Sequence, residues 1–312
     1  MSNQRSFPVA NSLTVGVIGL GVMGRPMAAS LLRSPAASWN VVISGRGRER
    51  YSELLDSGAS WAESPRRLAE QADIIVDMLP DLPQLEQVLN GPDGIVSGIT
   101  TPTLLVISST SSASGIRELA DRLATETNGL LHVVDAPVSG GEDGAVAGTL
   151  SIMVGGSADD VDLALPVLRA IGAPAHLGPL GAGAIAKFCN QLIVAANILA
   201  LGEAAVLAER SGLDLGALFD LLENGYAGSR VLDSRKRRIV DADYRPSGVA
   251  RYMIKDLRYA LEEADRTGTD AAQLRLLLDT FTDLTAHGFG DQDIAVTRAY
   301  VESKNPPPVA VA

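Results

Sequence analysis

A lysine and two carboxamide residues stand in an otherwise apolar segment of this 312-residue chain. The segment reads A-I-A-K-F-C-N-Q-L-I-V, in which Lys187 precedes Asn190 by three residues and Gln191 by four. On a helix this spacing places all three side chains on one face, and a polar stripe on an apolar helix points into a polar cavity or a hydrogen-bond network. Burial lowers the pKa of a lysine, which suits proton transfer near neutral pH. The alternative is a buried lysine with a purely structural role.

A glycine motif near the N-terminus predicts a second kind of site. Its residues are Gly19, Leu20, Gly21, Val22, Met23 and Gly24. The motif follows a β-branched apolar run and precedes a helix-like segment, and G-x-G-x-x-G in this position is typical of a dinucleotide site. Gly19 permits a tight turn, Gly21 lets a pyrophosphate approach the backbone, and Gly24 lets helix and strand pack closely. The N–H groups at the start of the helix would then hold the phosphates. The alternative is a glycine-rich turn.

The end of the second predicted strand indicates which dinucleotide is bound. Sites for NAD place an acidic residue there to hold the ribose 2′-hydroxyl. This strand ends Val-Val-Ile-Ser-Gly-Arg-Gly-Arg, with Arg46 and Arg48 at the tip and no acid. A guanidinium would pair with a 2′-phosphate, so we expect NADP(H) to be preferred, with NAD(H) as the second choice. The alternative is a solvated basic loop.

Three further loops follow predicted strands, where open α/β sheets collect their ligands. Residues 135–148 read D-A-P-V-S-G-G-E-D-G-A-V-A-G, in which a hydroxyl and unhindered backbone N–H groups could hold a carboxylate. The residues concerned are Ser139, Gly140 and Gly141. Two other loops are candidates for contact with nicotinamide or substrate, and their residues are Ser109, Thr110, Met78, Leu79 and Pro80. Each of these loops, taken alone, also suits a turn without a ligand.

The predicted elements that position these residues alternate between strand and helix in the first half of the chain. Strands are predicted at residues 14–18, 40–44, 73–78, 104–108, 131–135 and 150–154. Helices are predicted between them at residues 27–33, 48–57, 65–70, 83–89, 113–127 and 158–171. Continuous apolar strands alternating with helices predict an α/β fold with a doubly wound, Rossmann-type parallel sheet.

The second half of the chain is predicted to be all-helical. Its helices are expected at residues 184–210, 215–224, 229–240, 249–267, 271–287 and 291–303. We therefore expect a dinucleotide-binding domain at residues 12–178 and a helical domain for substrate binding and dimerisation at residues 179–303. The long helix at 184–210 would join them, and residues 304–312, with three prolines, would be a disordered tail.

Composition and charge disfavour several classes of binding partner. The chain is 46% apolar and 20% charged, as in ordinary globular proteins, and a net charge of −11 disfavours nucleic acid and anionic membranes. Cys189 is the only cysteine and the three histidines follow no metal-ligand spacing, so we expect no metal site and a reducing compartment, the cytoplasm. The first eleven residues have no apolar core typical of a secretory signal. The apolar stretch at 182–201 carries Lys187 and three carboxamides, which suits a buried helix better than a membrane span.

Together these motifs resemble the β-hydroxyacid dehydrogenase family over residues 13–302. They are G-L-G-V-M-G at 19–24, S-T at 109–110, D-A-P-V-S-G-G at 135–141, G-A-G-A-I-A-K-F-C-N-Q at 181–191 and K-D-L at 255–257. The Asn190-Gln191 pair and the segments at 225–233 and 287–293 are similar to the tartronate semialdehyde reductase branch, whereas many members have two asparagines. One departure is Ala113, near which the family usually has a proline.

The resemblance implies an NAD(P)-dependent oxidoreductase that interconverts a small 3-hydroxy acid and its semialdehyde or oxo acid. It implies that Lys187 is the catalytic acid/base and that residues 139–141 bind the substrate carboxylate. It further implies that Asn190 and Gln191 orient substrate and lysine, that Lys255 lies at the cofactor, and that the protein is a homodimer or homotetramer. Two alternatives are an imine reductase, in which Asp or Tyr usually replaces the lysine, and a dinucleotide-binding module without turnover.

Overall fold

The computed structural model describes residues 13–34 and 39–306, which form two compact units. The first unit ends at Lys187 and the second begins at Phe188, within one continuous helix. The expected domain boundary at residue 178 falls on the last residue of the last strand of the first unit. Residues 1–12 and 307–312, which include most of the expected tail, lie outside the described residues.

The first unit contains nine strands and, before the long helix, eight α-helices among its described residues. The strands are β1 Leu13–Ile18, β2 Trp39–Ser44, β3 Ser60–Trp61, β4 Ile74–Asp77, β5 Thr103–Ile107, β6 Leu131–Asp135, β7 Val138–Ser139, β8 Leu150–Gly155 and β9 Gly172–Gly178. The helices are α1 Gly24–Arg33, α2 Ser52–Asp56, α3 Pro65–Ala69, α4 Leu82–Leu89, α5 Ile95–Gly98, α6 Ala113–Glu126, α7 Gly141–Ala147 and α8 Ala158–Arg169.

The strand order confirms the predicted doubly wound sheet. It runs β3-β2-β1-β4-β5-β6-β8-β7, with β9 paired to β8. Pairing is parallel from β3 to β6, while β8 is antiparallel to both β6 and β7. The chain order reverses between β1 and β4, so the carboxyl ends of these two strands, at Ile18 and Asp77, flank the point where ligands bind in such sheets.

The core of the first unit explains why its strands are continuous apolar runs. Strand residues such as Val15, Ile43, Val76 and Leu104 are fully or almost fully buried. Helices cover both faces of a parallel sheet, so neither face of these strands meets water. The six strands predicted from apolar runs are all present, with ends that shift by at most one residue.

The predicted helical segments at 48–57, 249–267 and 291–303 need correction. The first is a 3₁₀ turn, Arg48–Tyr51, followed by the short helix α2. The second begins only at Tyr252. Val249 forms an isolated bridge with Asp293, and the N–H groups of Ala250 and Arg251 donate to the carbonyl oxygens of Gln292 and Gly290 instead of opening a helix. The third starts with a 3₁₀ turn, Ile294–Val296.

The described part of the second unit contains helices, the turns that join them and one isolated bridge between Val249 and Asp293. Its elements are α9 Ala182–Arg210, which begins in the first unit, α10 Leu215–Glu223, α11 Arg230–Val240, α12 Tyr252–Thr267, α13 Ala272–Leu284 and α14 Thr297–Lys304. The predicted helix at 271–287 stops at Leu284 and gives way to a π-helical turn, Thr285–Phe289. Phe219 and Phe281 are fully buried in this unit.

Helix α9 is long and apolar enough to cross a bilayer by length and composition alone. Its polar groups, however, have partners within the protein. The carboxylate of Asp135 accepts hydrogen bonds from its first turn, and Gln191 donates to Asp256. Paired polar groups of this kind are typical of a core helix in a globular protein, as the sequence predicted.

Candidate active site

The glycine motif forms the turn that joins β1 to α1. Gly19 has φ +88°, and a Cβ there would lie 2.4 Å from the carbonyl carbon of Met78. A Cβ on Gly24 would lie 2.1 Å from the carbonyl oxygen of Gly19. A Cβ on Gly21 would meet nothing within 4 Å. Two glycines are therefore required for the turn itself, and the third leaves open space where a ligand can approach the backbone.

The start of α1 has the features of an anion site. No described side chain caps this end of the helix, and its first turn contains no acidic residue. Its N–H groups and the positive end of its dipole are therefore available to phosphate oxygens. Together with the open space at Gly21, these features fit the pyrophosphate of a dinucleotide.

The tip of β2 lies beside this turn, because Ser44 pairs with Ile18 in the parallel register. Ser44 is buried, whereas Arg46 and Arg48 are exposed. Arg48 lies 3.9 Å from Glu63 in a loose ion pair, while no residue in the described ranges binds the guanidinium of Arg46. The loop therefore presents at least one cation at the position where NAD-specific sites carry an acid.

Asp77 is the last residue of β4, which neighbours β1 in the sheet. It was not among the site residues predicted from the sequence. Its side chain is fully buried, accepts a hydrogen bond from the N–H of Leu79 at 3.0 Å, and receives the hydroxyl of Ser109 at 3.4 Å. Ser109 also contacts the hydroxyl of Ser111 at 3.0 Å. One carboxyl group thus links the two loops that were predicted to contact nicotinamide or substrate, at residues 78–80 and 109–110. An acid at the end of an apolar strand was the available signal.

Burial raises the pKa of Asp77 to about 7, from an ordinary value of 3.8, although its two hydrogen bonds oppose the rise. Between about pH 4 and pH 7 the folded protein holds a proton that the unfolded chain has released, so the free energy of unfolding falls as pH rises through this window.

Asp77→Asn cannot ionise and keeps both hydrogen-bonding positions. We expect this variant to gain about 5 °C more in Tm at pH 8 than at pH 5. Thermal denaturation of both proteins without cofactor measures this Tm difference. If the difference between the variant and the unaltered protein were the same at both pH values, the raised pKa of Asp77 would be contradicted.

The loop after β6 places the predicted carboxylate-binding residues at a sharp turn. Val138 and Ser139 form β7, which pairs with Ile152 and Ser151 of β8. Gly140 and Gly141 follow with φ of +138° and +64°, conformations that L side chains rarely adopt. The turn therefore exposes backbone N–H groups next to the Ser139 side chain, as carboxylate binding would require.

Lys187 lies in the second turn of α9 and is buried, with 7% of its surface exposed. The helix continues without a break to Asn190 and Gln191, so the predicted spacing on one helical face holds. Apart from Asn190, the residues within three positions of it on the helix are alanine, isoleucine, phenylalanine and cysteine. A lysine buried on such a helix is a candidate for proton transfer.

In the second unit, Asn190 and Gln191 belong to a directed chain of hydrogen bonds. The amide of Gln191 donates to Asp256 at 2.6 Å, and Asn190 donates to the Gln191 oxygen at 2.9 Å. A carboxylate only accepts hydrogen bonds, so Asp256 fixes the direction of Gln191 and, through it, that of Asn190. Asp256 therefore orients both amides that were predicted to face substrate.

Lys255 contacts two neighbours on its own helix. Its Nζ lies 3.3 Å from the carboxylate of Asp256 and 5.6 Å from the ring centre of Tyr259, four residues on. The same carboxylate thus contacts both the Gln191 amide and the Lys255 ammonium. Contact with a residue four positions away is what an ordinary helical lysine makes, and contact with a cofactor stays a prediction.

Within each unit the predicted residues converge. In the first unit the segments at 19–24, 46, 78–80 and 109–110 all follow the carboxyl ends of neighbouring parallel strands. In the second unit Gln191 and Lys255 both contact the carboxylate of Asp256, and Asn190 is connected to it through Gln191. The described residues contain no group of three His, Cys, Asp or Glu side chains suited to a metal ion.

Two known family models match this chain, one over its first part and one over its second part. Residues 14–187 match the family model described as the NAD-binding domain of 6-phosphogluconate dehydrogenase. Residues 181–300 match the model described as NAD-binding of NADP-dependent 3-hydroxyisobutyrate dehydrogenase. Together the two models cover nearly the whole chain.

Individual relatives agree with these models. The chain is 36% identical over 276 residues to a probable 3-hydroxyisobutyrate dehydrogenase-like protein of Arabidopsis thaliana, covering 88% of this chain and 83% of the relative. It is 35% identical over 282 residues to 2-hydroxy-3-oxopropionate reductase of Escherichia coli, covering 90% and 94%. The crystal structure of 3-hydroxyisobutyrate dehydrogenase from Salmonella typhimurium superposes with a TM-score of 0.83 at 29% identity, covering 93% and 100%. The chain is therefore an oxidoreductase that uses a nicotinamide dinucleotide and belongs to the β-hydroxyacid dehydrogenase family.

Proposed function

We propose that this enzyme reversibly reduces the semialdehyde of a small 3-hydroxy acid, with Lys187 as its general acid and base. The observation that carries the proposal is the burial of Lys187 on the same helical face as two oriented amides. Bound nicotinamide supplies or accepts the hydride. In the reductive direction Lys187 gives a proton to the carbonyl oxygen, and in the oxidative direction its neutral amine removes the hydroxyl proton.

The other site residues bind and orient the substrate. The backbone N–H groups of residues 139–141 and the hydroxyl of Ser139 hold its carboxylate. Asn190 and Gln191, whose directions follow from Asp256, orient the substrate oxygen toward the lysine. Holding both ends of a small acid in this way orients the substrate for the reaction. Orientation accounts for a large share of many catalytic rate enhancements.

The tartronate semialdehyde reductase branch is our proposal for the substrate class. It is supported by the Asn190-Gln191 pair and by the sequence segments at 225–233 and 287–293. Overall identity does not separate the branches, since the chain is 36% and 35% identical to one relative named for each activity. A spectrophotometric screen of small 3-hydroxy acids, semialdehydes and cyclic imines would test it. Turnover of imines alone would contradict the proposal.

NADP(H) is the cofactor that we propose, because Arg46 and Arg48 replace the acid that holds an NAD ribose. In Arg46→Ala, kcat/KM for NADPH should fall about 10–100-fold, the usual worth of a charge-assisted bond to phosphate, and kcat/KM for NADH should change less than twofold. Steady-state kinetics with both cofactors measures this.

Arg67→Ala is the matched control for this change. It removes the same charge from an exposed arginine that pairs with Glu70 on α3. A tenfold preference of the unaltered enzyme for NADH, or an equal response of both arginine variants, would contradict the assignment.

We also propose a homo-oligomer in the cytoplasm. Ile193 and Leu207 of α9 are 61% and 69% exposed, and residues fourteen positions apart lie on the same helical face. Exposed apolar side chains in line favour burial against a second copy. Light scattering gives the mass, and a monomer would contradict this part of the proposal.

A further inference from the structure

We propose that Asp135 is a positioning residue that sets the place and rotation of Lys187 relative to the carboxylate-binding loop. The inference rests on the proposed function of Lys187 as the acid and base. Asp135 is the last residue of β6 and is fully buried. Its Oδ1 accepts a hydrogen bond from the N–H of Gly181 at 2.7 Å, and its Oδ2 accepts one from the N–H of Ala184 at 2.6 Å.

These two bonds hold the beginning of α9. The first N–H groups of a helix have no partner within the helix, and the first turn of α9 contains no acidic residue of its own. Asp135 supplies the acceptor from a different element, about 46 residues earlier in the chain. Because each oxygen binds a different N–H group, the carboxylate fixes both the distance of the helix from β6 and its rotation. Lys187 lies three residues after Ala184, so its direction depends on that rotation.

The backbones of β8 and α9 approach the carboxylate so closely that a side chain on either neighbouring glycine would collide with it. A Cβ on Gly155 of β8 would lie 2.4 Å from Oδ1 of Asp135. A Cβ on Gly183 would lie 2.9 Å from Oδ2 and 2.2 Å from the carbonyl oxygen of Met153. Strand and helix are thus in direct contact through the carboxylate, without an intervening side chain. Burial raises the pKa of Asp135, and the N–H donors of Gly181 and Ala184 oppose that rise.

The same strand also carries the loop that we propose to bind the substrate carboxylate. Ser139 follows Asp135 by four residues, and both residues pair with β8, Asp135 with Gly155 and Ser139 with Ser151. The loop and the start of α9 therefore share one rigid reference within the first unit. A substrate held by its carboxylate on this loop meets Lys187 at a distance that the Asp135 hydrogen bonds define.

Asp135→Asn tests this inference. The amide is nearly isosteric but replaces one acceptor by an NH₂ group, which then faces a backbone N–H. We expect kcat for semialdehyde reduction, expressed per enzyme molecule with NADPH bound, to fall about 10–100-fold. A misplacement of the reacting groups by about 1 Å has an effect of this size. The KM for the semialdehyde and the Kd for NADPH should change less than about threefold, because the hydrogen bonds of this carboxylate go to Gly181 and Ala184 and not to the residues that we assign to either ligand. The deuterium isotope effect with NADPH labelled at the transferred hydrogen should increase, since the chemical step becomes slower.

Asp293→Asn is the matched control. Asp293 is also fully buried and accepts hydrogen bonds from the backbone N–H groups of Gly248 and Ala295, both at 3.0 Å, but it lies in the second unit. Both variants should lower Tm, and only Asp135→Asn should lower kcat per bound NADPH. Equal kcat values in the two variants would overturn the inference.

Asp135→Glu separates positioning from simple capping and serves if the Asn variant folds poorly. Glutamate keeps both acceptor oxygens but adds a methylene group where Gly155 and Gly183 leave no room. We expect a loss of kcat here as well, and full kcat would show that any acceptor suffices. Lys187→Ala, measured beside these variants, keeps the two proposals apart. If it retains full kcat, the role of Lys187 fails. If it is inactive while Asp135→Asn is fully active, only the positioning inference fails.

Discussion

Lys187→Ala should lower kcat for semialdehyde reduction about a thousandfold and leave the Kd for NADPH within about threefold. The variant loses the only side chain that we assign to proton transfer, so the carbonyl oxygen must take its proton from water. We assign cofactor binding to the turn at residues 19–24 and to Arg46, which lie outside α9 in the first unit. Steady-state kinetics and titration of the NADPH fluorescence measure the two quantities separately.

Lys187→Arg is the informative companion variant. Arginine keeps the positive charge and most of the length of the side chain, but it does not release its proton near neutral pH. If Lys187 acted only by its charge, the arginine variant would keep much of the activity. For proton transfer we expect it to be nearly as inactive as the alanine variant. Retention of a tenth or more of kcat in either variant would contradict the assignment.

Local sequence patterns predicted the parts of the fold that depend on local forces. The apolar β-branched run of β1 ends at a glycine turn, and the structure begins α1 directly after it, at Gly24 rather than at residue 27. The helix begins early because Gly24 packs against the carbonyl oxygen of Gly19, a contact that helical periodicity does not register. The short strands β3 and β7 were missed because two residues give no alternation to detect.

Strand β9 was missed for a different reason. Its sequence G-A-P-A-H-L-G contains two glycines and a proline, and most of its residues are exposed or half-buried. It lies outside the main strand order, paired with β8 alone, so it lacks the burial on both faces that gives the inner strands their apolar runs. Only the paired strand β8, and not its own composition, holds it in the sheet.

In the candidate site, too, the residues on one element were predicted from the sequence, and the contacts between distant elements were not. Lys187, Asn190 and Gln191 were found from the sequence because their spacing is that of one helix. Asp135 and Asp256 stand within the motifs at 135–141 and 255–257, but the local pattern does not show what their carboxylates contact, because their partners are distant in sequence. Asp256 meets Gln191 across 65 residues, and Asp135 meets Ala184 across 49. Such pairings arise only when the chain folds, so catalytic side chains on one element are easier to predict than the groups that orient them.

Gly21→Asp should abolish cofactor binding while the protein stays folded. The structure leaves open space at this position, since a Cβ on Gly21 meets nothing within 4 Å and the residue does not have a positive φ. A side chain there causes no clash in the protein itself. A carboxylate would, however, occupy the space proposed for the pyrophosphate and repel it at short range. We expect the Kd for NADPH to rise more than about a hundredfold and Tm without cofactor to change by less than about 2 °C.

The neighbouring glycines provide the controls for this prediction. Gly21→Ala adds the Cβ without charge and should weaken NADPH binding less than aspartate does. Gly24→Ala places a Cβ 2.1 Å from the carbonyl oxygen of Gly19, so it should lower Tm even without cofactor. This contrast separates the glycine that the fold requires from the glycine that the ligand requires. Unchanged NADPH affinity in Gly21→Asp would mean that the dinucleotide does not lie over this turn, and the assignment of residues 19–24 to its pyrophosphate would then be wrong.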